Sequence, residues 1–347
     1  MSFQFGFTAD VGSDDDEAVP LHDVRDSAAV DGPEIPAAMH KLEDLLAHLP
    51  ERLSYSTIRI ASPMGKCVSL PRRELFDIKL QLLQDISADN DRVVEQIDKS
   101  DLRSGIYEGG FKTWECSIDL ASLLLDRGPR KDIDELTQCD QIVELGCGTA
   151  LPSLTLFQHA LLNNMEGLTF TFADFNEEVL RLVTIPNVLL TWAACTENSG
   201  YPNPDSANNS EDQDLEVTAD LIKRFIADLL ARNIKLNFLS GPWSSALAKL
   251  IPESAPDGGF VVLAAETIYS PASTDAFVDL LILLLSRVKM AKAMIAAKRM
   301  YFGVGGSVDG LKEACRERGA VAYEIENHGV SGMNGGVGRA LVEVQMF

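Results

Sequence analysis

The sequence predicts an α/β fold: a doubly wound, seven-stranded sheet with helices between the early strands, an antiparallel C-terminal hairpin and a small N-terminal accessory segment. Three observations carry this. From Gln141 onward, apolar runs of strand length alternate with segments of helical periodicity. The first run, QIVELGCGTA from Gln141 to Ala150, passes straight into a glycine turn. The last two runs, over 321–325 and 340–344, read as a closing hairpin.

Taken in order, residues 1–36 carry a net charge of −8 among small, Pro and Gly residues. Such a stretch buries too little apolar surface to offset its ordering entropy, so a disordered acidic tail is expected. Phe3, Phe5 and Phe7 interrupt it at period two, which fits docking on a partner as well as a chance cluster. Residues 37–100 form the accessory segment. Met39, Leu42, Leu45, Leu46 and Leu49 recur at helical spacing before Pro50, 55–60 reads as a strand, and 75–86 reads as an amphipathic helix.

The main domain spans 101–347. Gly105, Gly109 and Gly110 make a loop carrying Tyr107, Glu108, Trp114 and Glu115, and a buried helix follows over 118–124. An aromatic and acids at the mouth of a helix suit a cofactor lid; Trp114 plugging the core is the alternative. Next, Glu144 falls at the carboxyl end of the first strand, and Gly146 and Gly148 let backbone pass close to a ligand. A dinucleotide fingerprint would need a third glycine where Leu151 stands. No lysine or Ser/Thr phosphate grip follows either, so the turn suits a ligand without a phosphate chain. S-adenosylmethionine is the candidate, its ammonium near an acid such as Glu144.

A second strand over 169–173 ends in Asp174-Phe175-Asn176, where doubly wound folds grip ribose hydroxyls. A helix over 179–183 reaches Pro186-Asn187, and 196–217 reads as a disordered acidic insertion. After a helix over 218–231, a third strand over 234–239 ends at Ser240-Gly241-Pro242-Trp243. Trp243 could cover an adenine face or pack in the core. The fourth strand, 259–265, ends in Glu266-Thr267-Ile268-Tyr269; a helix over 275–287, a strand over 293–297 and a helix over 311–318 follow. This is the outline of a Rossmann-like methyltransferase.

Composition narrows the class. The chain has 347 residues, 46% of them hydrophobic, enough for a sizeable core, and a net charge of −22. The tracts 1–36 and 197–220 together hold −15 of that charge. Such a surface disfavours direct nucleic-acid binding and favours basic partners. Six cysteines stand singly, so no metal site is expected and reduced thiols point to cytoplasm and nucleus. The start lacks a secretory pattern and no apolar run reaches bilayer length, so a soluble chain without a membrane partner is expected. None of the histidines, at 22, 40, 48, 159 and 328, falls in a proposed site motif; His159 is read as structural and His328 as a loop residue. With Leu151, the lack of a proton-relay histidine disfavours a nicotinamide dehydrogenase.

YEGGFKTWEC, IVELGCGTA, FADFN, SGPWS, AAETIY and YFGVGG, in this order, resemble the eukaryotic protein-histidine N-methyltransferases that modify a large-subunit ribosomal protein. The similarity runs from the opening FQFGF to Phe347, sparing 195–233. It implies a class I methyltransferase fold and S-adenosylmethionine as cofactor. It also implies that Thr113, Trp114, Glu115, Cys116 and Ser117 lie against that cofactor, with Glu144, Gly146 and Gly148. Ala173, Asp174 and Phe175 would hold its ribose and adenine side, while Gly241, Pro242, Trp243 and Ala265 close the pocket. Glu266 and Tyr269, an E-x-x-Y, would face the substrate and act in catalysis.

Three positions depart from the family's pattern. Ala150 replaces a glycine, at little cost for so small a side chain; Pro242 lacks an N–H for adenine; Ala265 lacks a hydroxyl. Methyl transfer to a neutral imidazole needs alignment and water exclusion more than a strong base. Glu266 or Glu115 would accept from the other ring nitrogen, and Glu144 or Glu115 would meet the cofactor ammonium. The implied partner is a basic large-subunit ribosomal protein, and the enzyme a monomer. The alternatives are a protein-lysine methyltransferase on the same fold, whose acceptor must first lose a proton, and an inactive binding module.

Overall fold

The computed structural model describes residues 36–84, 109–126, 139–196, 213–254, 258–326, 333 and 337–347. The readings made for the tail up to residue 35, Gly105, Tyr107, Glu108, the greater part of the acidic insertion and His328 lie outside the described residues.

The chain enters through β1 (Ala38–His40) and α1 (Leu42–Ala47). One helix over 39–49 was the expectation, but pairing Met39 with Leu239 at a sheet edge outweighs the helical spacing of the first residues. Next come β2 (Arg52–Ala61), β3 (Cys67–Arg73) and α2 (Leu75–Gln84). β2 and α2 meet the expectation; β3 does not appear in it, because Pro71 and the two arginines after it hide its pattern. Strand β3 is an edge, where a missing N–H is tolerated.

The main domain follows as α3 (Glu115–Leu125), β4 (Gln141–Leu145), α4 (Leu151–Leu162), β5 (Thr169–Asp174) and the long helix α5 (Glu177–Cys195). Then come β6 (Gln213–Glu216), α6 (Ala219–Ala231), β7 (Lys235–Ser240) and α7 (Ser245–Leu250). β8 (Phe260–Ala265), α8 (Pro271–Leu285), β9 (Ala291–Lys298), α9 (Val308–Glu317), β10 (Ala320–Glu324) and β11 (Arg339–Met346) complete the chain.

All seven expected strands form, in the order β7-β5-β4-β8-β9-β11-β10, and β1 adds an eighth beyond β7. The five from β7 to β9 are parallel; β11 and β10 close the sheet antiparallel. Central β4 is buried throughout, as a parallel strand covered on both faces must be. Its residues alternate between two cores. Ile142 joins the layer of α3, α4 and α5, and Val143 and Leu145 join that of α7, α8 and α9. On the first face Phe157, Phe170, Phe172 and Phe238 form a run of aromatic contacts with centroids 5.3 to 6.5 Å apart.

A small sheet, β3-β2-β6, lies against α3, α4 and α5. Its third strand corrects the sequence reading: Gln213–Glu216, placed inside a disordered insertion, pairs with β2, and Asp214 accepts from Ser54 Oγ.

Helix α5 corrects another boundary. The expected helix ended at Val183, before Pro186, yet α5 continues to Cys195 through a π turn over Leu180–Thr184. Pro186 has no N–H for the Leu182 carbonyl, four residues back. Arg73 Nη1–H donates to that carbonyl at 2.9 Å instead, so a buried arginine from β3 completes the helix. By length and composition α5 could cross a membrane, but it is mostly buried inside the fold, as a core helix is.

Candidate active site

Strand order reverses between β4 and β8, so the loops at their carboxyl ends diverge and leave a crevice. A cavity of about 340 Å³ fills it. On one side stand the loops after β4, β5 and β7; on the other, the loops after β8 and β9 and the segment entering α3.

The first side is cross-braced. Cys147 N–H donates to Ala173 O at 3.0 Å, Gly148 N–H to Asp174 Oδ2 at 2.9 Å, and Gly241 N–H to Asp174 O at 3.1 Å. From below, the π turn aims Thr184 Oγ1–H at Gly148 O (2.8 Å), and Asn187 Nδ2–H reaches Thr149 O (3.1 Å). Glu144 accepts from Ser153 N–H at 2.8 Å, in the first turn of α4. Burial pushes its carboxyl up to about 8; the Ser153 bonds oppose that, and the Asp174 charge adds to it. Gly146 holds φ +65°, and a Cβ there would meet Thr267 Cγ2 at 2.9 Å, so the turn must stay bare. Ala150 adopts φ +59°, which explains a glycine there better than side-chain size does. Its cost is conformational, about 1 kcal/mol, where the sequence suggested almost none.

Across the cavity the polar groups are less committed. Glu266 sits at φ +60°, rare for a residue with a side chain, and its N–H donates to Ala296 O at 2.9 Å. Its Oε1 and the neighbouring Thr267 Oγ1 are both buried without a hydrogen-bond partner among the described residues. Lys298 Nζ lies 3.7 Å from that Oε1, and 5.3 and 5.8 Å from the ring centroids of Trp114 and Tyr301. Burial, and then the Glu266 charge, push both the Cys116 thiol and the Tyr301 phenol up. Tyr301 is fixed by its own hairpin, where Tyr301 N–H donates to Gly306 O and Gly306 N–H to Tyr269 O.

Twelve of the seventeen expected site residues line this cavity. Trp114, Ser117, Glu144, Gly146, Gly148, Asp174 and Phe175 do so, as do Pro242, Trp243, Ala265, Glu266 and Tyr269. Five do not. Cys116 and Ala173 point into the cores. Thr113 Oγ1 accepts from Arg72 Nη1 at 3.3 Å and donates to Thr149 Oγ1 at 3.5 Å, behind the lining rather than in it. The Glu115 side chain is 69% exposed and accepts from Arg339 Nη1 at 2.9 Å, outside the cavity lining. Gly241 is bare for another reason: at φ +126°, a Cβ would lie 2.7 Å from Ala37 Cα, where the chain enters β1. Trp243 serves both readings, lining the cavity while meeting Phe277 edge-on at 6.2 Å.

Sequence reasoning missed Lys298, Tyr301 and Thr267 as lining residues. A lysine closing the otherwise apolar AAK end of β9 was the available signal. The buried pair of Asp119 and Arg339, which ties α3 to β11, also went unread. Among the described residues no cluster of His, Cys, Asp and Glu could hold a metal ion.

The bare glycine turn, the buried Glu144 and Asp174 and the indole of Trp243 fit an adenosyl amino acid: two carboxylates for its ammonium and hydroxyls, and an aromatic face for its base. No protein-family model matches the sequence. Individual proteins do. Histidine protein methyltransferase 1 of Schizosaccharomyces pombe is 38% identical over 288 residues, 82% of this chain and 78% of that protein. Its namesake in Saccharomyces cerevisiae is 36% identical over 342 residues, 89% of each. Among solved structures, a putative transferase, PH0793, of Pyrococcus horikoshii shares 10% identity over 87% of this chain and 93% of that one, at a TM-score of 0.36, too loose a match to add to the fold described above. At the identity and coverage of the two yeast proteins, the chain belongs to the histidine protein methyltransferase 1 family of S-adenosylmethionine-dependent methyltransferases.

Proposed function

We propose that this chain methylates a ring nitrogen of a histidine in a basic protein of the large ribosomal subunit. The observation that supports this most is Glu266, held at a strained φ in the cavity wall opposite the glycine turn, its buried Oε1 facing Lys298 Nζ at 3.7 Å and without a hydrogen-bond partner among the described residues. On this reading, Gly146, Gly148, Glu144, Asp174 and Trp243 hold S-adenosylmethionine, which supplies an electrophilic methyl group. The chain's own task is to bring an imidazole in line and exclude water. Glu266 accepts from the ring N–H, fixing the tautomer, and balances the positive charge that develops on the acceptor. With Glu115 held by Arg339, Glu266 takes this role alone.

A macromolecular substrate suits the rim. Met300, Phe302 and Val304 are exposed on the hairpin that carries Tyr301, a group of large apolar side chains beside the cavity that a docked protein would cover. The acidic tracts favour a basic partner and steer its approach. On the same reading the enzyme works as a monomer in cytoplasm and nucleus, without contacting nucleic acid directly. Incubation with S-adenosylmethionine and purified ribosomal proteins, followed by mass-spectrometric mapping, is expected to place one methyl group on a histidine. A methyl on lysine instead would move the assignment to the lysine enzymes. Glu266→Gln is expected to lower kcat by about 100-fold with cofactor affinity unchanged.

A further inference from the structure

The acceptor end of the cavity has the composition of a cation site: a carboxylate, Glu266, beside the faces of two aromatic rings, Trp114 and Tyr301. It already contains a cation of its own, the Lys298 ammonium, 3.7 Å from Glu266 and within 6 Å of both ring centroids. Lys298 is unsuited to the cofactor end, since both the sulfonium and the ammonium of the donor are positive. Nor is it a stray surface lysine. It closes β9, its backbone N–H donates to the Tyr301 hydroxyl at 3.2 Å, and its side chain is 26% exposed.

We propose that Lys298 is a specificity-determining residue: it fills the cation subsite formed by Glu266, Trp114 and Tyr301, and so keeps the acceptor end for an uncharged imidazole and denies it to the lysine and arginine side chains of a basic substrate. This rests on the histidine-methylating reading above. A lone carboxylate between aromatic faces would attract ammonium and guanidinium groups, which surround any target histidine in a basic protein. A bound ammonium would moreover be stabilised in its protonated form, which cannot accept a methyl group, and would block the site. With Lys298 present, the subsite already holds one positive charge, which opposes a second cation but not a neutral ring.

The test uses the full-length enzyme and a peptide spanning the mapped target histidine, with two competitors carrying lysine or norleucine at that position. These share length and backbone and differ in charge. Against the wild-type enzyme the lysine competitor should inhibit no better than the norleucine one. In Lys298→Met, which keeps an unbranched chain over the rings, the lysine competitor should become about tenfold the stronger inhibitor. Lys298→Arg should keep the wild-type ratio. An unchanged ratio in Lys298→Met overturns the proposal, and since the ratio compares two ligands on one enzyme, a general loss of activity does not imitate the effect. Should that variant fail to fold, Lys298→Gln reads the same ratio. Absence of histidine methylation by the wild-type enzyme would instead remove the underlying reading.

Discussion

On the glycine-turn side of the crevice, Asp174 accepts from Gly148 and Asn176 and Glu144 accepts from Ser153, whereas across the cavity Glu266 Oε1 and Thr267 Oγ1 are buried with no hydrogen-bond partner among the described residues. The first side has most of its hydrogen-bonding capacity tied up in the fold itself. Its loops are locked to one another before any ligand arrives, so cofactor binding there meets little ordering cost. The second side retains unmet polar groups and a strained backbone at Glu266, the arrangement expected where interactions are kept for the reacting groups. Rigidity on this side comes from further away. Helix α3, which starts just after Trp114, is tied to β11 by Arg339, whose guanidinium donates to both oxygens of Asp119.

That brace gives the largest expected effect. The side chains of Arg339 and Asp119 are 8% and 4% exposed, so removing one partner strands a buried charge. Arg339→Met should cost about 3–5 kcal/mol of folding stability, read as a fall in denaturation midpoint. Glu115→Ala, which breaks only the exposed contact of the same arginine, should cost less than about 1 kcal/mol. Asp119→Leu combined with Arg339→Met should recover most of the loss. Equal costs for the two single variants would mean that the buried pair is not what anchors α3.

The cofactor side is sharpened by Asp174→Ala, a smaller effect. It leaves the Gly148 N–H buried without an acceptor and frees the turn from the end of β5. The ribose hydroxyls would also lose a charged acceptor, a hydrogen bond of about 1.5–3 kcal/mol, so S-adenosylmethionine affinity should fall roughly 30-fold. Calorimetric affinity within twofold of wild type would show that the turn holds its shape without Asp174.

The contrast between the two sides also sets what could be read from sequence. Gly146, Gly148 and Asp174 were legible because a turn against a ligand restricts residue type locally. The strands were legible because parallel burial demands continuous apolar runs, as in β4 and β8. Lys298 and Tyr301 were not, because a lysine after an apolar strand has no local mark separating a cavity wall from a solvated end. Cys116 and Glu115 lie outside the cavity lining for the opposite reason: neighbours of Trp114 in sequence point elsewhere once α3 turns, one into the core and one towards Arg339. Similarly, nothing near Pro186 announces that Arg73, more than a hundred residues earlier, completes the helix through it.

The smallest expected effect is a single proton. Burial holds the Glu144 carboxyl at about 8 against a usual 4.5, so at pH 7 the unliganded protein keeps it mostly protonated. Its share of folding stability is accordingly fully present below pH 4.5 and is lost as pH rises towards 8, because over that interval only the folded state holds the proton. A cofactor ammonium set beside Glu144 favours the ionised form and lowers this value. Binding at pH 7 should then release close to one proton, and affinity should rise with pH up to about 8. Calorimetry in two buffers of different ionisation enthalpy measures that proton directly. Glu144→Gln should abolish the release while leaving the Asp174 brace intact. If the variant releases the same proton, the ammonium lies elsewhere, and Glu144 serves only to anchor the first turn of α4.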